Sequence, residues 1–235
     1  MTVSNFALQL KTETKKSHTA AENTKFVGAF LRGVISKDSY RQLVANFYFI
    51  YRAMEDELSK LKESPIVGPI HSDLLNRTNS LERDCRYYYG PNWREIIVPS
   101  EACQQYVNRI REVADDEPEL LVGHHYTRYM GDLSGGQILK GIAEKAMDLK
   151  GGEGLYFYEF EGISDKKGFK TQYRNILDSL PINQSQANAI INEANYAFRL
   201  NMYMFDEIQG NSWHGFFKMI FGFIRSNINN WERGQ

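Results

Sequence analysis

His18 is followed four residues later by Glu22, with the small residues Thr19, Ala20 and Ala21 between them. On a helix that spacing sets a carboxylate one turn from an imidazole. It can then hold one ring nitrogen, fix the tautomer and leave the other nitrogen as a metal ligand. A lone histidine is more often a surface residue or a hydrogen-bonded core residue, and Glu22 weakens that ordinary reading. Lys11 falls seven residues before His18 on the same stripe, about 10 Å away along an unbroken helix, with Lys15 close by.

The second chemical segment is YTRYMGDLSGGQ, Tyr126 to Gln137. Leu121, Tyr126, Met130 and Leu133, then Leu139, Ile142, Ala143 and Ala146, recur at helical spacing, so one helix is expected to run through it. Each interior glycine costs roughly 0.5–1 kcal/mol against alanine, so Gly131, Gly135 and Gly136 together surrender about 2–3 kcal/mol. Gly131 and Gly135 share a face, which would let another helix or a flat ligand lie against the main chain. A kink is expected there. Residues 133–137 spell LSGGQ, the signature pentapeptide of transporter ATPases, but that reading needs a G-x-x-x-x-G-K-[ST] phosphate loop, and no Gly-Lys pair occurs in the chain.

The elements that must position these groups read as helices. Proline occurs only at 65, 69, 91, 99, 118 and 181, and strand signals are nearly absent. Helices are expected at about 4–31, 37–63, 70–89, 100–114, 118–149, 166–180, 184–209 and 212–230, with Leu155 to Phe160 a short stretch that could be extended. An all-α, single-domain multi-helix bundle follows, with a core over about 4–209 and a C-terminal helical extension over 212–235. Within it Phe47, Tyr51, Met54 and Leu58 form an apolar stripe containing a phenol, and Phe198, Asn201 and Phe205 one containing an amide. Lys170 and Arg174 lie one turn apart.

With 235 residues and 42% hydrophobic composition the chain can bury a substantial core, and its formal net charge of −1 argues against a nucleic-acid binder. Cys85 and Cys103 form no C-x-x-C motif, which fits a reducing compartment. No signal peptide is expected, and the apolar stretch Trp213 to Ile224, interrupted by Lys218, falls short of the ~20 residues a membrane-spanning helix needs.

Four blocks, H-T-x-A-E-N at 18–23, Y-T-R-Y-x-G-D-L-S-G-G-Q at 126–137, F-K-x-x-Y-R at 169–174 and A-F-x-L-N at 197–201, together resemble the haem oxygenase family in type and order. The resemblance implies haem b between a proximal helix carrying His18, the iron ligand, and a kinked distal helix at Gly131 to Gly136, with Phe198 nearby. It also implies propionate contacts from Lys11, Lys170, Arg174 and Tyr126, which Arg and Lys suit chemically. A neutral imidazole ligand gives only moderate push toward O–O cleavage, unlike a thiolate. Asp132 is expected to act through ordered water, with Tyr51, Thr127, Arg128 and Asn201 extending the network. The activity implied is O2- and electron-dependent opening of haem, at the α-meso carbon, to biliverdin, CO and ferrous iron.

Lacking a C-terminal anchor, the chain looks like the soluble enzymes of cyanobacteria and algal plastids, which implies a cytoplasmic or stromal setting. Ferredoxin or a similar reductase is then the implied donor, docking on Lys15, Lys16, Lys166, Lys167 and Lys170, and a bilin reductase the implied consumer of biliverdin. A haem carrier or gas sensor built on the same His18 is the alternative. No role is assigned to His71, His124, His125 or His214.

Overall fold

Residues 3–149 and 151–210 are described by the computed structural model. Eleven α-helices occur among them, with single turns of tighter or wider helix between some of them, and no strand. In chain order they are α1 (Phe6–Glu13), α2 (Lys15–Glu22), α3 (Lys25–Leu31), α4 (Lys37–Lys60), α5 (Thr78–Tyr89), α6 (Trp93–Ile96), α7 (Glu101–Asp116), α8 (Leu121–His125), α9 (Gly131–Ala146), α10 (Lys166–Ser179) and α11 (Gln184–Ile208). The expected helix over 212–230 lies outside the described residues.

Two long amphipathic helices organise the bundle. α4 packs on α5 and α7, and α11 packs on α7 and α8, around one continuous apolar core. Their starts follow from local chemistry. Ser36 accepts from the Ser39 amide at 3.0 Å to cap α4, Ser100 caps α7 through the Cys103 amide, and Asn183 with Gln186 forms a reciprocal capping box on α11.

The expected helix over 4–31 is instead three pieces. The buried Thr14 turns its hydroxyl back onto the Leu10 carbonyl at 2.7 Å, a local bond that competes with helix continuation, and the chain bends there. At Thr24 the backbone becomes extended and its side chain caps α3. The expected helix over 70–89 begins only at Thr78, because Pro69 and the extended residues His71 and Ser72 allow just two tight turns, Gly68–Ile70 and Asp73–Leu75, before it. Tyr156–Tyr158 is a tight helical turn rather than extended chain.

The expected helix over 118–149 is also composite. Residues Tyr126–Met130 form one turn of π-helix between α8 and α9. The departure from α geometry therefore lies just ahead of the glycines, and α9 itself is regular through Gly131, Gly135 and Gly136. No helix among the described residues is long and apolar enough to cross a membrane.

Candidate functional site

His18 projects from α2 with more than half of its side chain exposed, and Nδ1 lies 3.5 Å from Glu22 Oε2. Nε2 is left without a protein partner among the described residues. The ring meets Phe198 of α11 edge to face at 5.7 Å, which limits how it can swing. Lys11 is exposed in the last turn of α1, and the Thr14 break separates it from His18 on α2.

The glycines of α9 divide into two kinds. A Cβ built on Gly131 or Gly135 would meet nothing within 4 Å, whereas one on the buried Gly136 would meet Tyr158 at 3.5 Å. Gly131 and Gly135 therefore present bare backbone to open space, and Gly136 lets the 155–160 segment back the helix. Lys170 on α10 reaches Ser134 between them, Nζ to Oγ at 3.2 Å. Arg174, one turn on, bears electrostatically on the phenol of Tyr126; burial raises that phenol's pKa, and Thr14 and Arg174 act against the rise. The sequence-distant groups Lys170, Arg174 and Tyr126 are thus brought to one edge of the glycine face.

Behind that face lies a polar chain, half-buried at Asp132 and buried from Tyr51 inward. The Tyr51 hydroxyl donates directly to Asp132 Oδ2, and Arg128 Nε donates to the Tyr51 oxygen at 3.0 Å. Arg128 also donates to Asn201 Oδ1, and the Asn201 amide donates to the Ala197 carbonyl at 3.0 Å. The guanidinium lies over the Phe47 ring at 4.3 Å. Burial raises the pKa of Asp132, while Arg128 and Tyr51 pull it down. Burial likewise raises that of Tyr51, so the phenol keeps its proton. Arg128 stays charged despite burial because Tyr51 and Asp132 face it. Thr127 does not join this chain. Adjacent helical residues point about 100° apart, and with Arg128 aimed at Tyr51 the Thr127 hydroxyl is turned to the Ala194 carbonyl of α11 at 3.4 Å.

Sequence reasoning missed the polar groups one step further in. Glu55, one turn beyond Tyr51, accepts from the Arg77 and Thr78 amides and from the Tyr129 hydroxyl at 3.3 Å. Tyr129 in turn meets Tyr51 edge to face at 5.6 Å. A carboxylate four residues after a phenol on an otherwise apolar face was the available signal. Cys85 and Cys103 are buried, and burial pushes the Cys85 thiol up to about 12, so neither is a nucleophile.

The arrangement suits a flat, dianionic, metal-bearing ring. It offers one uncommitted imidazole nitrogen, bare backbone, cationic and phenolic groups at one edge, and a half-buried carboxyl hydrogen-bonded to a phenol that a guanidinium holds in turn. Residues 4–207 match the family model described as Heme oxygenase. The chain is 56% identical to heme oxygenase 1 of Nostoc sp., covering 88% of this chain and 87% of the relative. It is 52% identical to the heme oxygenase of Rhodella violacea, covering 94% of each. Among solved structures, heme oxygenase-1 of the cyanobacterium Synechocystis in complex with heme superimposes with a TM-score of 0.86 at 53% identity, over 94% of this chain and 99% of that one.

Proposed function

The chain belongs to the heme oxygenase family, and from that premise we propose that it consumes O2 and electrons to open haem at the α-meso carbon, releasing biliverdin, CO and ferrous iron. The observation that carries the reading is the Asp132–Tyr51–Arg128–Asn201 chain, buried from Tyr51 inward, behind the open faces of Gly131 and Gly135. Haem is substrate and cofactor together, supplying the iron where O2 is activated and the carbon that is attacked.

Each residue has a part that follows from its chemistry. His18 binds iron through Nε2, and Glu22 holds Nδ1 so that the ring stays in the ligating tautomer. Gly131 and Gly135 let the porphyrin approach the main chain of α9, leaving no side chain to compete with O2, and Gly136 keeps α9 seated on Tyr158. Lys170, Arg174, Tyr126 and the more distant Lys11 bind the propionates and so fix the in-plane rotation of the ring, which decides the meso carbon. Phe198 steadies the His18 imidazole.

Asp132 works through water. Its Oδ2 is tied to Tyr51, and Oδ1, with no protein partner among the described residues, orients a water that delivers protons at the reacting centre. Arg128 and Asn201 hold the Tyr51 phenol in line, and Thr127 anchors the turn to α11. Reduced ferredoxin is the electron donor, meeting the exposed Lys15, Lys16 and Lys167 and the half-buried Lys166 and Lys170. The product passes to a bilin reductase in a cytoplasmic or stromal compartment.

An aerobic absorbance time course of the haem-loaded protein with reduced ferredoxin, followed by pigment chromatography and a CO trap, tests the reading. Loss of the Soret band with biliverdin IXα and CO is expected. A Soret band that persists with ferredoxin and with a second reductant would replace the oxygenase with a haem carrier or sensor.

A further inference from the structure

His124 and His125 stand immediately before the π turn, and the chemistry above uses neither. Consecutive helical residues point about 100° apart, so the pair reaches two different helices. His124 Nε2 lies 2.9 Å from Glu193 Oε1 on α11, and Glu193 is gripped at both oxygens by Arg109 of α7. His125 Nδ1 and the Tyr173 hydroxyl of α10 share a hydrogen bond at 2.7 Å, with the two rings stacked 9° from parallel. Both His125 and Tyr173 are buried.

Tyr173 stands three residues after Lys170 and one before Arg174. His125 is likewise joined by one peptide bond to Tyr126. The buried bond therefore links the two backbones that carry these edge groups. The other polar ties on α10 lie at its ends or its surface. Asp165 caps its start, Asp178 accepts from the Ala7 amide at 2.8 Å, and Lys170 meets Ser134 in the open. Among the described residues, His125–Tyr173 is the buried hydrogen bond that ties α10, at the level of Lys170 and Arg174, to the segment leading into the distal helix.

We propose that His125 and Tyr173 are a positioning pair: their hydrogen bond sets the rotation and depth of α10 against the π turn, and through Lys170 and Arg174 it selects which meso carbon of haem is opened. The inference rests on the propionate reading of Lys170 and Arg174. Burial lowers the His125 pKa to about 3, with His71 adding to the effect, so the imidazole is neutral and the tie is a neutral hydrogen bond within a ring stack. Losing it should shift the helix without emptying the site.

His125→Phe and Tyr173→Phe keep the stacked rings and remove the bond. In the haem-loaded enzyme each is expected to raise the share of non-α biliverdin relative to α by about fivefold, the equivalent of about 1 kcal/mol. The double variant is expected to go no further than either single one, because both lose the same bond. Haem-methyl NMR shifts of the cyanide-bound ferric complex report in-plane seating without turnover, and the same variants should alter that pattern. A purely structural role would lower the melting temperature and leave isomer ratio and methyl pattern as in the unmodified protein, and that result overturns the proposal. If the unmodified protein forms no biliverdin, the oxygenase reading fails, and the NMR pattern alone decides the pair. If Arg174→Ala leaves the pattern unchanged while His125→Phe alters it, the propionate reading fails and the selection of a meso carbon through α10 falls with it.

Discussion

A half-buried carboxyl group bonded to a phenol that a guanidinium holds can be removed without emptying the site, and this separates binding from chemistry. Asp132 touches Tyr51 from behind the open glycines, so Asp132→Ala should leave haem affinity within about threefold, since His18 and the edge cations are untouched, and abolish biliverdin. Haem titration followed by pigment analysis checks this. Undiminished biliverdin from that variant would remove Asp132 from the mechanism. Tyr51 and Asn201 were legible as polar residues set in apolar helical stripes, Asp132 as the aspartate inside the glycine-rich segment and Arg128 as a neighbour just before it, whereas their shared role came from the family resemblance alone. Glu55 and Tyr129 were not legible, because Glu55 is partnered with the backbone start of another helix, at Arg77 and Thr78, and Tyr129 with Glu55. Thr127 was legible as polar but not in direction, which depends on where its neighbour Arg128 is aimed.

Glycine has opposite meanings at two places along α8 and α9. On Gly123 an added Cβ would lie 2.8 Å from the Ile190 carbonyl oxygen and 2.9 Å from the Ala194 nitrogen, backbone atoms of α11 that cannot swing aside. Gly123→Ala should therefore destabilise the protein by about 1–3 kcal/mol through overpacking. Gly135→Ala meets nothing within 4 Å and should stabilise the haem-free protein by about 0.5–1 kcal/mol through helix propensity, while weakening haem binding. Denaturant midpoints of the haem-free variants and haem titrations check both, and equal effects at the two sites would sink the distinction. The starts of α4, α7 and α11 fall within a residue of the expected bounds at 37, 100 and 184, and the caps at Ser36, Ser100 and Asn183 are the physical reason. The break at Thr14 could not be read from the sequence, since a threonine inside an apolar period looks like any helical surface position until its hydroxyl is seen turned onto Leu10. The glycine cost signalled an unusual helix but not where its geometry changes, because a π turn has no residue signature of its own.

Across the whole molecule, charge acts through buried pairs and exposed faces in different ways. Burial alone would raise the pKa of Glu193, but hydrogen bonds from Arg109 and His124 outweigh it and hold the carboxyl at about 2, below its ordinary 4.5. A depressed carboxylate stabilises the fold above its unfolded pKa, and that contribution is lost as pH falls from about 4.5 toward 2. Glu193→Gln should thus cost up to about 3 kcal/mol at pH 7, with the deficit shrinking through that window, as urea melts at stepped pH would show. A deficit that stays constant down to pH 3 would contradict the assignment. The exposed lysines act over distance and in salt. Ferredoxin-driven turnover should slow several-fold between low and physiological ionic strength, and Lys166→Glu with Lys167→Glu should slow it further, while turnover with a small neutral reductant stays unchanged. Salt-insensitive kinetics would argue for another docking face. The π turn at Tyr126–Met130 has a consequence for which changes in length the chain can absorb. A π turn holds one residue more than the α turn it replaces. Deleting one residue there would restore a regular helix with the histidines before it and the glycines after it still facing their own partners, because the wider turn is how the extra residue is absorbed, but it would remove or displace one of the side chains Tyr126 to Met130. The cost of such a deletion therefore falls on the groups inside the turn, Tyr126, Thr127 and Arg128, and not on the docking of His124 and His125 or the facing of Gly131 and Gly135.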